Sequence, residues 1–452
     1  MPTRFPLSSF YFSANIPFFL VYEKKDIGMT TKAAPEPPTP LGRYRVLSPL
    51  AGVRVSPLQL GAMSIGDKWG SIGMGAMNKE SSFKLLDAYF DAGGNFIDTA
   101  NNYQDESSEA FIGEWMEKRG IRDQVFVATK VRIPVLTPFF LLASLTNMHT
   151  LDGQYTTYYK HSDDSVKQRI HFVGNNVKSL HNSVEASLKK LRTDYIDLFY
   201  IHWWDWETGV EEVMNALHNL VVMGKVLYLG ISDTPAWIVS KANQYARDHG
   251  KTPFCIYEGQ WNVLKRSFER DIIPMARAEG LALAPWDVLA SGRIRTDAEE
   301  QRRRETGEKG REIFGEKWER TEEERAMSAT LERVAVEVGA KNIQAVAIAY
   351  LLQKTTHVFP ILGGRKVEHL LANIEALTLS LSPVQIAQIE GVVPFDPGFP
   401  TTLIGDGTQA SWMVHIAAQT DHWPVREPIR PVARAGDSGK GDASSKGGAS
   451  SK

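Results

Sequence analysis

The strongest constraint on the fold is an alternation of short β-like runs with longer helical patterns. Segments between the runs carry apolar residues at i, i+3 and i+4 spacing, as in Leu180, Val184 and Leu188, which is typical of helices that pack one face on a core. The runs are eight in number: LQLGA (58–62), NFIDTA (95–100), VFVATK (125–130), YIDLFYIHW (195–203), VLYLGIS (226–232), FCIYEGQW (254–261), LALAPW (281–286) and VFPILGG (358–364). Eight strand–helix units predict an α/β fold, a single-domain (β/α)8 TIM barrel with an extra C-terminal segment.

Composition excludes several classes of protein. The 452 residues include 51 Lys+Arg and 53 Asp+Glu, a net charge of −2, which gives no support to a nucleic-acid or anionic-membrane surface. One cysteine, Cys255, excludes an intramolecular disulfide and any multi-cysteine metal site. No run reaches the roughly 20 apolar residues of a membrane span. We expect a cytoplasmic protein without nucleic-acid or membrane partners.

The two ends differ from the middle of the chain. We interpret 1–43 as a leader, in which 1–28 is aromatic-rich and interrupted by Pro17, a poor secretory signal. The true start is then Met29, and a targeting role for 1–28 is the alternative. We expect the barrel over 44–399 and a C-terminal extension over 400–434. The Gly/Ser/Lys-rich stretch 435–452 predicts a disordered tail.

Two internal segments do not fit the eight-unit pattern. Residues 131–154 are apolar, contain two prolines and directly follow the third β-like run. A Val codon begins with GT and a Gln codon can end with AG, so we interpret 131–154 as a retained intron, with a genuine apolar loop as the alternative. Residues 297–327 form a dense mixed-charge run. We expect a solvated helical excursion there, and a lid over the pocket is the alternative.

Polar and reactive side chains stand at the end of almost every β-like run, where barrel enzymes carry their chemistry. Each of them alone has a structural explanation, such as a turn cap or a rim charge. Their recurrence at one rim points to an active site. The residues are Asp98 with nearby Tyr103, Lys130, His202, Ser232, Asp233, Gln260, Trp286, Gly363, Gly364 and Arg365. Metal binding is not expected, because His202 and Asp205 have no third ligand at a suitable spacing.

The set of motifs GGNFIDTANNY, VFVATK, YIDLFYIHWWD, LGISDTPAW, GQWNVL, LAPWDVL and FPILGGRKVEHLLANIEAL resembles the aldo-keto reductase superfamily. The similarity is greatest to its fungal aryl-alcohol dehydrogenase and norsolorinic acid reductase branch. It runs from about Tyr44 to Phe399, apart from 131–154. The resemblance implies a catalytic tetrad of Asp98, Tyr103, Lys130 and His202.

These four residues suit carbonyl reduction on chemical grounds. A free tyrosine has a pKa of about 10, too high for ready proton exchange at neutral pH. An ammonium within about 4–6 Å lowers that pKa. Lys130, held by Asp98, would do this for Tyr103, which is then the acid in reduction and the base in oxidation. His202 would orient the substrate oxygen and stabilise its developing charge.

The resemblance also implies a nicotinamide cofactor. Ser232, Asp233 and Gln260 would bond its carboxamide and Trp286 would stack on its ring, although many relatives carry Asn where this chain has Asp233. The glycine turn Gly363–Gly364 before a helix would present N–H groups to an anion. Arg365 and Lys366 favour NADP+/NADPH over NAD. His369 and Asn373 would contact the adenosine, and relatives often carry Gln at the first of these positions.

We therefore expect an NADPH-dependent reductase of an aldehyde or ketone on an aromatic or polyketide-like small molecule, reversible with aryl-alcohol oxidation. The tryptophans Trp69, Trp203, Trp204 and Trp206 are compatible with a flat substrate. The branch suggests fungal secondary metabolism of the mycotoxin type, an inference by analogy. The alternative is a nucleotide-binding regulatory subunit of the channel β-subunit type, against which the complete tetrad argues.

Overall fold

The computed structural model describes residues 34–70, 75–131, 165–308 and 318–431. Its contacts divide the chain into two units, Met1–Glu36 and Pro37–Lys452. Only 34–36 of the first unit are described. The segment 131–154, apart from the backbone of Val131, and the stretches 1–28 and 435–452 lie outside the described residues. The following concerns the second unit.

A sheet of eight strands, paired in parallel throughout, forms the centre of this unit. The strands are β3 (Gln59–Gly61), β4 (Phe96–Asp98), β5 (Phe126–Val131), β6 (Ile196–Ile201), β7 (Val226–Ser232), β8 (Ile256–Gln260), β9 (Ala282–Trp286) and β10 (Ile361–Gly363). They are ordered β10-β3-β4-β5-β6-β7-β8-β9. A parallel bridge between Leu283 and Val358 joins the last strand to the segment before β10. The predicted (β/α)8 barrel is confirmed. Seven of the eight predicted runs contain one strand each, and β5 extends one residue beyond its run, to Val131.

Helices follow the strands and pack around the sheet. In α3 (Val177–Leu191) the predicted apolar face is buried, and Asn176 caps the helix by accepting the N–H of Ser179, which satisfies a donor that the first turn leaves open. The helices are α1 (Lys79–Asp91), α2 (Ser107–Arg119), α3 (Val177–Leu191), α4 (Val210–Val222), α5 (Ala236–Asp248), α6 (Ile272–Glu279), α7 (Asp297–Thr306), α8 (Glu322–Val338), α9 (Ile343–Lys354), α10 (Val367–Ile374), α11 (Pro383–Glu390), α12 (Thr401–Ile404) and α13 (Trp412–Ala417).

A two-stranded hairpin that the sequence analysis did not predict precedes the barrel. Strands β1 (Arg45–Ser48) and β2 (Ala51–Val55) pair antiparallel. Their buried side chains join the apolar cluster that contains Phe96 and Phe126, the first residues of β4 and β5. The hairpin therefore covers the amino ends of the strands and leaves the carboxyl ends for the site.

The expectation of a solvated helical excursion over 297–327 was wrong for Glu300 and Arg320. Glu300 in α7 is buried together with Arg295 and Arg320. Its carboxylate accepts from both of these guanidinium groups, at 2.7–3.2 Å, and from Arg304 and Arg325. Burial raises the pKa of Glu300, but the hydrogen bonds from Arg320, Arg325 and Arg295 prevail and lower it to about 2. A charged cluster thus holds α7 against the start of α8.

The described part of the C-terminal extension is largely exposed, including α12 and α13. It returns to the barrel near its end, where Arg430 donates to the side chain of Gln353 and to the carbonyl of Leu381, each at 2.6 Å. Among the described residues no single helix is long and apolar enough to cross a membrane. Helices α8 and α9, taken together as a pair, have the length and apolar composition of a membrane span, but the pair is bent by 85° at its junction.

Candidate active site

The barrel brings three predicted catalytic residues to the carboxyl ends of neighbouring strands. Asp98 is the last residue of β4, Lys130 is next to last in β5, and His202 follows β6 directly. Side chains alternate between the two faces of a strand, so Asp98 shares the inward face with the core residue Phe96. Tyr103 lies on the loop after β4 and is 8% exposed.

A buried ion pair lies at the centre of this group. Lys130 is fully buried and Asp98 is 3% exposed. The Lys130 ammonium donates to Asp98 Oδ1 at 2.5 Å and to the carbonyl of Thr99 at 3.0 Å. Burial alone lowers the pKa of Lys130, but Asp98, Glu258 and Tyr103 together raise it above its ordinary value. Lys130 therefore remains a cation throughout the physiological pH range.

Tyr103 lies within the field of that cation. The Lys130 Nζ is 5.5 Å from the centre of the Tyr103 ring. The imidazole of His202 is edge-on to the same ring, with 6.4 Å between ring centres, and Trp69 packs against it at 6.1 Å. The structure thus brings together the ammonium, the phenol and the imidazole that the sequence predicted as a site.

The loop that carries Tyr103 has an unusual backbone. Gln104, Asp105 and Glu106 have φ values of 53°, 49° and 75°, a left-handed region that side chains other than glycine seldom adopt and that recurs at functional sites. The buried Gln104 amide holds this turn in place. It accepts the N–H groups of Lys68 and Trp69 and donates to the carbonyls of Met63 and Gly75. The role of Gln104 was not predicted from the sequence, because no local motif indicates it.

The predicted nicotinamide contacts occupy the opposite part of the rim. Asp233 has a φ of 45°, and its carboxylate accepts the indole N–H groups of Trp203 at 3.1 Å and Trp286 at 3.1–3.2 Å. Ser232 is buried and donates to the same carboxylate at 3.3 Å. Asp233 therefore orients two tryptophans, a contact that the sequence analysis did not expect.

Gln260 and Glu258 lie on the same face of β8. Gln260, at the strand end, donates to Asp287 Oδ2 at 2.8 Å and borders a cavity of about 310 Å³ beside Arg266 and Phe395. Glu258, two residues earlier, reaches Lys130 at 3.3 Å. Glu258 was not predicted from the sequence because it does not stand at the end of its β-like run.

The predicted anion-binding turn precedes α10. Lys366 is the N-cap residue of this helix and makes no side-chain cap bond, so the first N–H groups of α10 are not capped by it. Arg365 and Lys366 are exposed, and Lys366 lies 3.6 Å from Glu308. His369 is exposed, whereas Asn373 is buried on the packed side of the helix.

Only some of the predicted pocket tryptophans face the site. Trp69 contacts Tyr103, and Trp203 packs beside His202, with 5.7 Å between ring centres. Trp204 belongs to the main hydrophobic core. Trp206 is 63% exposed and lies beside Trp237 on the surface, with 6.3 Å between rings. Within the described ranges, no group of three or more His, Cys, Asp or Glu side chains could hold a metal ion.

Comparison with known proteins gives a consistent result. Residues 57–394 match the model of the Aldo/keto reductase family. The chain is 58% identical to an aryl-alcohol dehydrogenase (NADP+) of Phanerodontia chrysosporium, over 88% of this chain and 98% of the relative. It is 50% identical to the aldo-keto reductase ausK of Emericella nidulans, over 82% and 87%. It is 46% identical to the norsolorinic acid reductase stcV of the same organism, over 89% and 97%.

Proposed function

Because the chain belongs to the aldo/keto reductase family, we propose that it reduces an aldehyde or ketone with NADPH and, in reverse, oxidises an alcohol with NADP+. The observation that carries this proposal is the buried Lys130–Asp98 pair beside Tyr103 and His202. Proton transfer to a carbonyl oxygen needs an acid whose strength is tuned by a fixed charge, and this arrangement supplies one.

In the proposed reaction Tyr103 donates its proton to the carbonyl oxygen. The Lys130 ammonium stabilises the phenolate that forms, because an opposite charge nearby favours the charged state. Asp98 holds the ammonium in place at 2.5 Å. His202 orients the carbonyl oxygen and stabilises the charge that develops on it. NADPH, when bound, would supply the hydride for the carbonyl carbon. In alcohol oxidation Tyr103 would act as the base.

The residues around the rim fit a nicotinamide dinucleotide. Trp286 presents an indole whose N–H is held by Asp233, and a flat ring of this kind stacks well on a heteroaromatic ring. The uncapped start of α10 suits an anionic group. The exposed Arg365 and Lys366 suit the 2′-phosphate that distinguishes NADP from NAD. Gly363 and Gly364 would present N–H groups to this anion, and His369 and Asn373 remain the proposed adenosine contacts.

The proposed substrate is an aromatic or polyketide-like carbonyl compound. Two of the relatives are named for aryl-alcohol dehydrogenation and norsolorinic acid reduction, and Trp69 and Trp203 stand beside Tyr103 and His202. We place the enzyme in fungal secondary metabolism and in the cytoplasm. We also retain the proposed boundaries of 44–399 for the barrel and 400–434 for the extension, although packing begins before residue 44, since Leu41 is fully buried.

The experiment measures NADPH binding and turnover separately. Residues 29–452 are mixed with NADPH or NADH and a panel of aromatic aldehydes and ketones, and absorbance at the reduced-nicotinamide band is followed. The proposal predicts aldehyde-dependent oxidation of NADPH in preference to NADH. Tight NADPH binding without turnover of any carbonyl or alcohol would favour the regulatory-subunit alternative, and the absence of binding would contradict both.

A further inference from the structure

The inside of the barrel holds a second acidic group that the reaction described above does not use. Glu258 projects from β8 and is 3% exposed. Its Oε1 lies 3.3 Å from the Lys130 ammonium, which already has Asp98 Oδ1 at 2.5 Å. One fully buried cation therefore stands between two buried carboxyl groups that come from strands on different sides of the barrel.

The charges of this cluster do not balance if both acids are ionised. An ammonium and two carboxylates carry a net charge of −1, and an excess charge in a dry interior is strongly unfavourable. A buried group in this situation takes up a proton instead. Asp98 has the shorter contact with Lys130 and is the better candidate for the ionised partner. Glu258 makes the longer contact with Lys130 through one oxygen, and its second oxygen can carry a proton. Glu258 is therefore the residue expected to be protonated.

The other contacts of Glu258 agree with this assignment. Among the described residues, neither Glu258 Oε2 nor the nearby Tyr200 hydroxyl has a hydrogen-bond partner, so no further donor stabilises a carboxylate. Burial raises the pKa of Glu258 well above its usual value, Asp98 raises it further, Lys130 opposes the change, and Asp233 adds to it. Burial raises the pKa of the neighbouring Tyr200 as well.

We propose that Glu258 is a positioning residue of the reductase site: it holds a proton while the enzyme turns over, and its ionisation offsets the charge that Lys130 exerts on Tyr103. The inference rests on the proposed function, because it concerns the acid that serves carbonyl reduction. Of the residues that the structure describes, Asp98 on β4, Lys130 on β5 and Asp233 after β7 are the charged groups that act on Glu258, and Tyr200 on β6 is its titratable neighbour.

The direction of the effect follows from the charges. While Glu258 is neutral, the positive charge of Lys130 favours the phenolate of Tyr103, so Tyr103 gives up its proton readily. When Glu258 ionises at alkaline pH, its negative charge opposes that of Lys130 and raises the pKa of Tyr103. Reduction slows because the phenolate that Tyr103 becomes on donating its proton is less well stabilised. Oxidation slows because less of Tyr103 is present as the phenolate base.

The test compares Glu258→Gln with the wild type from about pH 6 to about pH 10. Glutamine has the shape of a protonated glutamic acid but cannot ionise. The ratio of variant to wild-type kcat/KM is expected to rise with pH as Glu258 ionises and then to level off, because ionised Glu258 weakens the charge of Lys130 without removing it. Taking the ratio cancels the titration of cofactor and substrate to first order.

A matched control is Glu109→Gln. Glu109 is also a fully buried glutamate, but it accepts from Thr129 at 2.6 Å and pairs with Lys190 on the other face of β5. A general loss of packing or of a buried charge lowers activity by the same factor at every pH. The ratio for Glu109→Gln is therefore expected to be flat.

Infrared difference spectroscopy of the protein alone supplies the second readout. The proposal predicts a carboxylic-acid carbonyl band at neutral pH in the wild type that disappears in Glu258→Gln and persists in Glu109→Gln. A missing band, or a flat activity ratio for Glu258→Gln, overturns the proposal. If the wild type turns over no carbonyl compound, the proposed function fails, and the infrared band still decides the protonation of Glu258.

Discussion

Replacement of Lys130 by methionine tests whether the Lys130 ammonium stabilises the phenolate of Tyr103. The ammonium is 5.5 Å from the centre of the Tyr103 ring. At an effective dielectric constant of about 20, Coulomb's law gives an attraction between ammonium and phenolate of about 3 kcal/mol at this distance. That energy corresponds to a pKa shift of about 2 units and to a rate change of roughly 100-fold.

We therefore expect Lys130→Met to lower kcat for carbonyl reduction by at least about 100-fold, with NADPH affinity much less affected. The assay is single-turnover reduction followed by nicotinamide absorbance, beside a separate binding titration. Lys79→Met, which removes a surface ion pair with Glu114, is the matched control and should lose little.

Folding of the variant needs its own check, because removal of Lys130 leaves buried carboxyl groups without their cation, a change that costs about 3–5 kcal/mol. The double variant Lys130→Met/Asp98→Asn removes both members of the pair and should regain stability without regaining activity. A folded Lys130→Met enzyme that retains more than about a tenth of the wild-type kcat would refute the electrostatic argument.

Further predictions concern the cofactor, the charged cluster and the apolar segment. Arg365→Ala and Lys366→Ala should each raise KM for NADPH about tenfold, as for loss of one charge-assisted contact, and leave KM for NADH nearly unchanged; equal effects on both would contradict a 2′-phosphate role. Glu300→Ala should lower the free energy of unfolding by about 3 kcal/mol in denaturant titrations, whereas exposed Glu305→Ala should not. The pKa of Glu300 in the folded protein is lowered to about 2. The stability that Glu300 adds is therefore present above its unfolded pKa of about 4.3 and should be lost as pH falls toward 2. A wild type that is still more stable than Glu300→Ala at pH 2 would be evidence against this reasoning. Deletion of 131–154 should raise soluble yield and reductase activity, and equal values for both forms would count against the intron interpretation.

The barrel could be predicted because its evidence is local and repeated. Each strand is a short apolar run, and the intervening helices have the spacing seen in α3, so eight independent segments point to the same topology. The β1/β2 hairpin, with strands of four and five residues, was not predicted because it lies outside the repeated strand–helix pattern. Its role depends on contacts with Phe96 and Phe126 from distant parts of the chain.

Site residues at the ends of strands could be predicted from the sequence. Contacts between side chains from different strands could not. Asp98, Lys130 and His202 stand at the rim in the order of the motifs. The contact between Glu258 and Lys130 depends on how far each strand projects into the barrel, and the pairing of Asp233 with two tryptophans depends on three separate segments. Neither leaves a signal in local sequence, because both arise from the closed sheet.

The most direct test of the central claim is Tyr103→Phe, measured for NADPH binding and for aldehyde reduction in one preparation. The substitution removes only the hydroxyl that is proposed to give its proton to the carbonyl oxygen. We predict NADPH binding close to that of the wild type and a loss of reduction of at least about 100-fold, the lower range for a general acid. A Tyr103→Phe enzyme that binds NADPH and reduces aldehydes at the wild-type rate would contradict the account.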